Sequence, residues 1–173
     1  MNPTLEETKK SLKVKTSTAN PAEDILDNFD PEILDFVVVL NHLGFNTYSS
    51  CQGHVTENLD GYIPYVLICS KEAEEIHQLN PKNAESIFIT EYYKMLETQS
   101  RLIEYLDEFY LNRITPIRNR LVLNTSFFCR ISITPYFSTF ANTIDSKEER
   151  INLNTIFLEE INDFTKFLET KAS

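Results

Sequence analysis

The sequence predicts a single α+β domain, a mostly antiparallel sheet with helices packed on it in the order α-β-β-α-β-β-α. Three observations carry that expectation. At 173 residues the chain is long enough for one sizeable core and short for two. A composition of 42% hydrophobic and 12% aromatic residues, with 3 Gly and 7 Pro, excludes collagen-like, low-complexity and wholly disordered chains. Two pairs of β-like segments also flank a long segment of helical periodicity, which places neighbouring strands in one sheet under layered helices.

Residues 1–20 hold Lys9, Lys10, Lys13, Lys15, Glu6 and Glu7 and almost no large apolar side chain. They read as a flexible or loosely attached leader, with residues 21–173 as the globular domain. A helix is expected from Asp30-Pro31-Glu32. Asp30 can cap the free N–H groups, and Pro31 suits a first position that needs no N–H. Ile33, Leu34, Val37, Val38 and Leu40 give it a wide apolar face, and Gly44 can take the left-handed position after its end. Asn46 to Ser50 reads as a short strand leading into Cys51-Gln52-Gly53-His54, and Tyr65 to Cys69 as a buried strand.

A long helix is expected from about Asn83 to Asn112, with a possible break near Ser100. Phe88, Tyr92, Met95, Leu96, Ile103, Leu106 and Phe109/Tyr110 recur on one face and are assigned to the core. Arg120 to Asn124 and Phe127 to Thr134 form a hairpin. Phe127, Cys129, Ile131 and Ile133 alternate with Phe128, Arg130 and Ser132, and Pro135 ends the run. The last helix starts at Ser146-Lys147-Glu148-Glu149, a capping box, and buries Leu153, Ile156, Phe157, Ile161, Phe164, Phe167 and Leu168.

The formal charge is −10, from 16 Lys+Arg against 26 Asp+Glu, and the pI is near 4.8. Such a balance disfavours nucleic acid and anionic membrane as partners. The longest apolar runs, such as Phe36 to Leu40, are far below the about 20 residues of a membrane span. Three widely spaced cysteines, Cys51, Cys69 and Cys129, and no apolar segment near the start fit reduced thiols in the cytoplasm. No phosphate-loop, dinucleotide or zincin pattern occurs, and the cofactor is left open.

The charges are segregated. Thr16 to Ser70 carries no Lys or Arg, whereas Glu23, Asp24, Asp27, Asp30, Glu32, Asp35, Glu57 and Asp60 fall within it. Arg113, Arg118, Arg120 and Arg130 occupy an acid-free stretch from Arg113 to Ile144. A tight turn centred on Thr125 would set Arg120 across from Arg130, where like charges repel unless compensated. Either a bound anion or nearby acidic side chains would supply the compensation.

Ser49-Ser50-Cys51-Gln52-Gly53-His54 is the segment with the look of a site. It concentrates a thiol, an imidazole and two hydroxyls at a strand end, and Gly53 admits positive φ or close approach. Four readings stay open. Cys51 is a nucleophile activated by His54 or an arginine. Cys51, His54, His42 and His77 bind zinc. The loop N–H groups and hydroxyls cradle an anion. Or the loop is a turn, with Cys51 in the core. Leu43-Gly44, Ser50-Cys51-Gln52-Gly53-His54 and Pro64-Tyr65-Val66 resemble small bacterial and phage proteins with a Ser-Cys-(Glu/Gln)-Gly-His loop. The Ser49-Ser50-Cys51-Gln52-Gly53 segment is also similar, more distantly, to the wybutosine-synthesising tRNA methyltransferases, which use S-adenosylmethionine; His54 stands where that family has Arg.

The leading expectation is a small anionic or nucleotide-like ligand held between the Ser49–His54 loop and the arginine-bearing hairpin. Cys51 and His54 are its catalytic candidates, with His54 moving a proton beside a supporting or reactive thiol. Ser49, Ser50, Gln52, Gly53, Arg118, Arg120 and Arg130 are its binding candidates, and no metal ligand is assigned. The alternatives are an acidic interaction module of inhibitor or effector type, working through Thr16–Ser70, and a methyltransferase-like enzyme.

Overall fold

The computed structural model describes residues 4–17, 30–55, 63–70, 72–73, 81–126, 129–144 and 146–172. The fold is α+β, as the segment order implies. Helix α1 spans Leu5–Ser17 and α2 Leu34–His42, the latter entered through a 3₁₀ turn at Pro31–Ile33. Strands β1 (Thr47–Cys51) and β2 (Tyr65–Ile68) follow, then helix α3 (Pro81–Tyr110). Strands β3 (Leu121–Ser126) and β4 (Arg130–Pro135) form the hairpin, and α4 spans Lys147–Glu169.

The four strands make one sheet in the order β1-β2-β4-β3, antiparallel at every pairing. Val66 pairs with Ile133 and Ile68 with Ile131, so one face is a block of buried β-branched side chains. Helices α2 and α4 complete the core. Phe36 of α2 meets Phe164 of α4 at 5.8 Å between ring centroids, and Phe109 of α3 meets Phe164 at 5.0 Å. Ser146 caps α4 by accepting the Glu149 N–H at 3.2 Å, half of the expected box, and Leu153, Phe157, Ile161, Phe164 and Leu168 are its buried stripe. Gly44 has φ +86, the left-handed conformation expected after α2. Among the described residues, no helix is long and apolar enough to cross a membrane.

Five expectations are corrected. Residues 5–17 of the supposed leader are helical. Thr4 Oγ1 accepts the Glu7 N–H at 3.2 Å while Glu7 Oε2 accepts the Thr4 N–H at 2.7 Å, a reciprocal cap that starts α1. Lys9 Nζ then pairs with Asp35 Oδ1 at 3.0 Å, which ties α1 to α2. Asp30 does not cap the helix it precedes; its side chain turns elsewhere, as described below. Helix α3 runs through Ser100 without a break, because Ser100 Oγ donates to Leu96 O at 3.0 Å and leaves the backbone ladder intact.

Helix α3 also buries a face rotated from the expected one. Glu91, Met95, Leu102, Leu106 and Phe109 are inside, whereas Phe88, Tyr92, Tyr93, Leu96 and Ile103 are exposed. Two apolar stripes lie side by side on this helix, and the one holding Leu102 and Phe109 fits the sheet and α4. Finally, the hairpin reverses between Ser126 and Arg130, so Ser126 opposes Arg130 and Leu121 opposes Pro135. Arg120 lies opposite Tyr136, whose N–H it accepts at 2.8 Å, and the two guanidinium groups stand at opposite ends of the ladder. This register matches Leu123 with Ile133 and avoids opposed like charges. Phe127 and Phe128 lie outside the described residues.

Candidate functional site

Strand β1 delivers the loop. Cys51 ends the strand, paired with Tyr65, and Gln52, Gly53 and His54 leave it in irregular conformation. Paired residues share a face, so Ser50 lies with Val66 on the core side while Ser49 and Cys51 lie with Tyr65 and Leu67 on the other. Ser49 Oγ and Tyr65 Oη are accordingly hydrogen-bonded at 3.1 Å. Cys69 and Cys129 belong to the apolar core, whereas Cys51 is buried outside that cluster.

Gly53 is required by its surroundings. Its φ is +89, and a Cβ there would lie 2.7 Å from Asn154 Nδ2 of α4 and 2.9 Å from Pro64 Cδ. The chain passes between a helix and a proline through a gap that only a glycine fits.

The residue that completes a cluster with the loop is Asp30, expected from the sequence to cap a helix. Asp30 Oδ2 accepts the Gln52 N–H at 2.6 Å, and Asp30 Oδ1 lies 3.6 Å from His54 Nε2. The Gly53 N–H in turn points at Cys51 Sγ, 3.4 Å away. Carboxylate, thiol and imidazole therefore converge, with one donor atom from each of Asp30, Cys51 and His54 all within 4.8 Å of one another. Asp30 is largely covered and Cys51 buried, while 54% of the His54 side chain faces solvent. Burial pushes the Cys51 thiol up; the Gly53 N–H opposes this and the Asp30 carboxylate adds to it. Along the same segment, Ser50 Oγ, on the core side of the strand, and Gln52 Oε1 are buried with no hydrogen-bond partner among the described residues.

The groups that an anion would use are placed as follows. The amides of Gln52 and Gly53 are engaged within the site, by Asp30 and by Cys51. The arginines stand apart. Arg120 is at the β3 edge, three strand spacings from β1 or about 14 Å, with its guanidinium over the Tyr110 ring and Nε donating to Thr115 O at 3.1 Å. Arg130 is at the far end of the sheet, over the Tyr48 ring. Arg118 is exposed in the Ile117–Asn119 turn, and Arg113 pairs with Glu160 and Asp163 of α4 at 3.2 and 3.1 Å. For Arg113 the compensation is acidic side chains, from α4.

Of the other zinc candidates, His42 Nδ1 is hydrogen-bonded to Thr8 Oγ1 at 3.1 Å, remote from the loop in the α1–α2 contact. His77 lies outside the described residues, as do Glu23, Asp24, Asp27, Glu57 and Asp60 of the acidic stretch. Away from the loop, a cleft of 240 Å³ between α3 and the far end of the sheet is lined by Ser70, Glu91, Lys94, Arg101 and Cys129. Glu91 is buried there, bonded to Ser70 Oγ and paired with Lys94 Nζ at 2.7 Å. Compared with protein-family models, curated proteins and solved structures, the chain matches none.

Proposed function

We propose that the chain is a small-ligand-binding protein whose working site is the Ser49–His54 loop together with Asp30. The observation that carries this reading is the convergence of Asp30, Cys51 and His54 from two segments 21 residues apart in sequence, with donor atoms within 4.8 Å. The unpartnered Gln52 Oε1, next to Cys51 in the chain, supports it, since a buried orphan polar group costs about 1–3 kcal/mol and a ligand is one way to satisfy it. The trio meets an electron-poor group. A bare phosphate or carboxylate would face the Asp30 carboxylate with the Gln52 and Gly53 amides already engaged and Arg120 and Arg130 remote, so a cation would bridge an anionic or nucleotide-like ligand to this site. The three free cysteines support a reducing, cytoplasm-like setting.

A thermal-shift panel of nucleotides, S-adenosylmethionine, phosphosugars and divalent metals tests this reading. A ligand at about 100 times its Kd stabilises the fold by about 2.7 kcal/mol, a shift of several degrees. The shift is expected in the wild type and absent in Cys51→Ala and His54→Ala. A shift of equal size in those variants would move the ligand to another surface, and a flat panel would remove the reading.

A further inference from the structure

We propose that Asp30, Cys51 and His54 bind a divalent transition-metal ion of the zinc class, with Asp30 Oδ1, Cys51 Sγ and His54 Nε2 as three ligands and a fourth position open to water or an anion. This deepens the reading of the loop as a ligand site and rests on it.

The donor set selects the ion. Thiolate and imidazole are ligands of zinc and its neighbours, and one carboxylate oxygen completes a set that magnesium and calcium, which take oxygen ligands throughout, would not choose. The geometry is near what such an ion needs. Ligand atoms at about 2.0–2.3 Å from a tetrahedral centre lie about 3.5 Å apart; Asp30 Oδ1 and His54 Nε2 are at 3.6 Å, and one donor atom from each of the three residues lies within 4.8 Å of the other two. The adjustment falls on His54, the most exposed of the three side chains.

The surroundings prepare the ligands. The Gln52 N–H holds Asp30 Oδ2 and so turns Oδ1 toward the imidazole, and the Gly53 N–H aims at the sulfur that would carry negative charge. On binding, the Cys51 S–H bond breaks, its proton passes to solvent, and the sulfur electron pair forms the bond to the metal. One carboxylate and one thiolate then balance the two positive charges of the ion. The −10 chain favours the approach of a cation, and the solvent-facing His54 edge leaves the fourth position accessible. An open site of this kind is where an anionic ligand can bind without meeting the Asp30 carboxylate directly.

The test is titration of the full-length, chelator-treated chain with Zn²⁺ and with Co²⁺, whose bond to a thiolate gives a near-ultraviolet charge-transfer band. The expected result is one ion per chain, the band present in the wild type and in Cys69→Ser, and absent in Cys51→Ser. Affinity is expected to fall at least about tenfold in His54→Ala and Asp30→Asn and to return in His54→Cys, which restores a ligand. Circular dichroism confirms that each variant is folded, and His54, being exposed, is the one least able to unfold the chain. An affinity unchanged in His54→Ala, or a folded wild type with no charge-transfer band, overturns the proposal. An organic ligand whose thermal shift still depends on Cys51 and His54 would then leave the loop as a ligand site without a metal; no shift of either kind removes both.

Discussion

At the scale of single residues, the two glycines with positive φ behave differently, and the difference is measurable. Gly44→Ala meets nothing within 4 Å and carries only left-handed strain, about 1 kcal/mol. Gly53→Ala adds a clash with Asn154 and Pro64 and is expected to cost about 2–4 kcal/mol in urea unfolding. In an Asn154→Ala background the Gly53→Ala penalty should shrink, since one of the two obstructing side chains is gone; an undiminished penalty would assign the cost to the backbone alone. Phe164→Ala, at the meeting point of Phe36, Phe109 and Phe167, is expected to cost about 3–5 kcal/mol. Tyr92→Ala, on the exposed side of α3, should stay within about 0.5 kcal/mol, and a large loss there would mean that a partner covers that face. Cys51, Gly53 and His54 were legible as a candidate site because they sit together in sequence. Asp30 was not, because its local signal, an acid before Pro31, reads as a helix cap and nothing in it points to Gln52 or His54.

Among the elements, the helix starts are set by short-range chemistry and can be tested separately. Ser146→Ala removes the acceptor for the Glu149 N–H and is expected to lower stability by about 1 kcal/mol, with Ser146→Asp restoring it. The α1 cap is pH-dependent. Hydrogen bonds from the Thr4 backbone and hydroxyl hold the Glu7 carboxyl below its usual value. A lowered folded-state pKa means the stabilisation is complete at neutral pH and lost as pH falls through the carboxylate range. Amide exchange in α1 should therefore accelerate on acidification in the wild type and be less pH-sensitive in Glu7→Gln. The Thr4-Leu5-Glu6-Glu7 box was present in the sequence and outweighed there by the lysine-rich composition that follows it. Helix α3 shows the opposite case. Its periodicity revealed a helix, yet two adjacent apolar stripes left open which one the sheet would accept, and the packing of Leu102 and Phe109 chose.

For the molecule as a whole, the charge of −10 is a standing repulsion that solvent-accessible ion pairs such as Lys9–Asp35 and Lys166–Asp163, each worth at most about 1 kcal/mol, do little to offset. Raising NaCl from low to moderate concentration should screen it and raise the melting temperature by a few degrees; a fall would mean that specific pairs such as Arg113 with Glu160 and Asp163 dominate instead. The sequence by itself determined the α+β class, the order of the elements from α2 to α4, the α4 cap and stripe, and the location of the Cys51–His54 loop. These depend on periodicities and caps spanning only a few residues. The tertiary structure alone decided the hairpin register, the separation of Arg120 and Arg130 from the loop, the buried face of α3 and the arrival of Asp30 beside Cys51 and His54. Each of those is a contact between segments distant in sequence. Such contacts are chosen by competition for a shared core, in which strand parity and local propensity are equally satisfied by several answers.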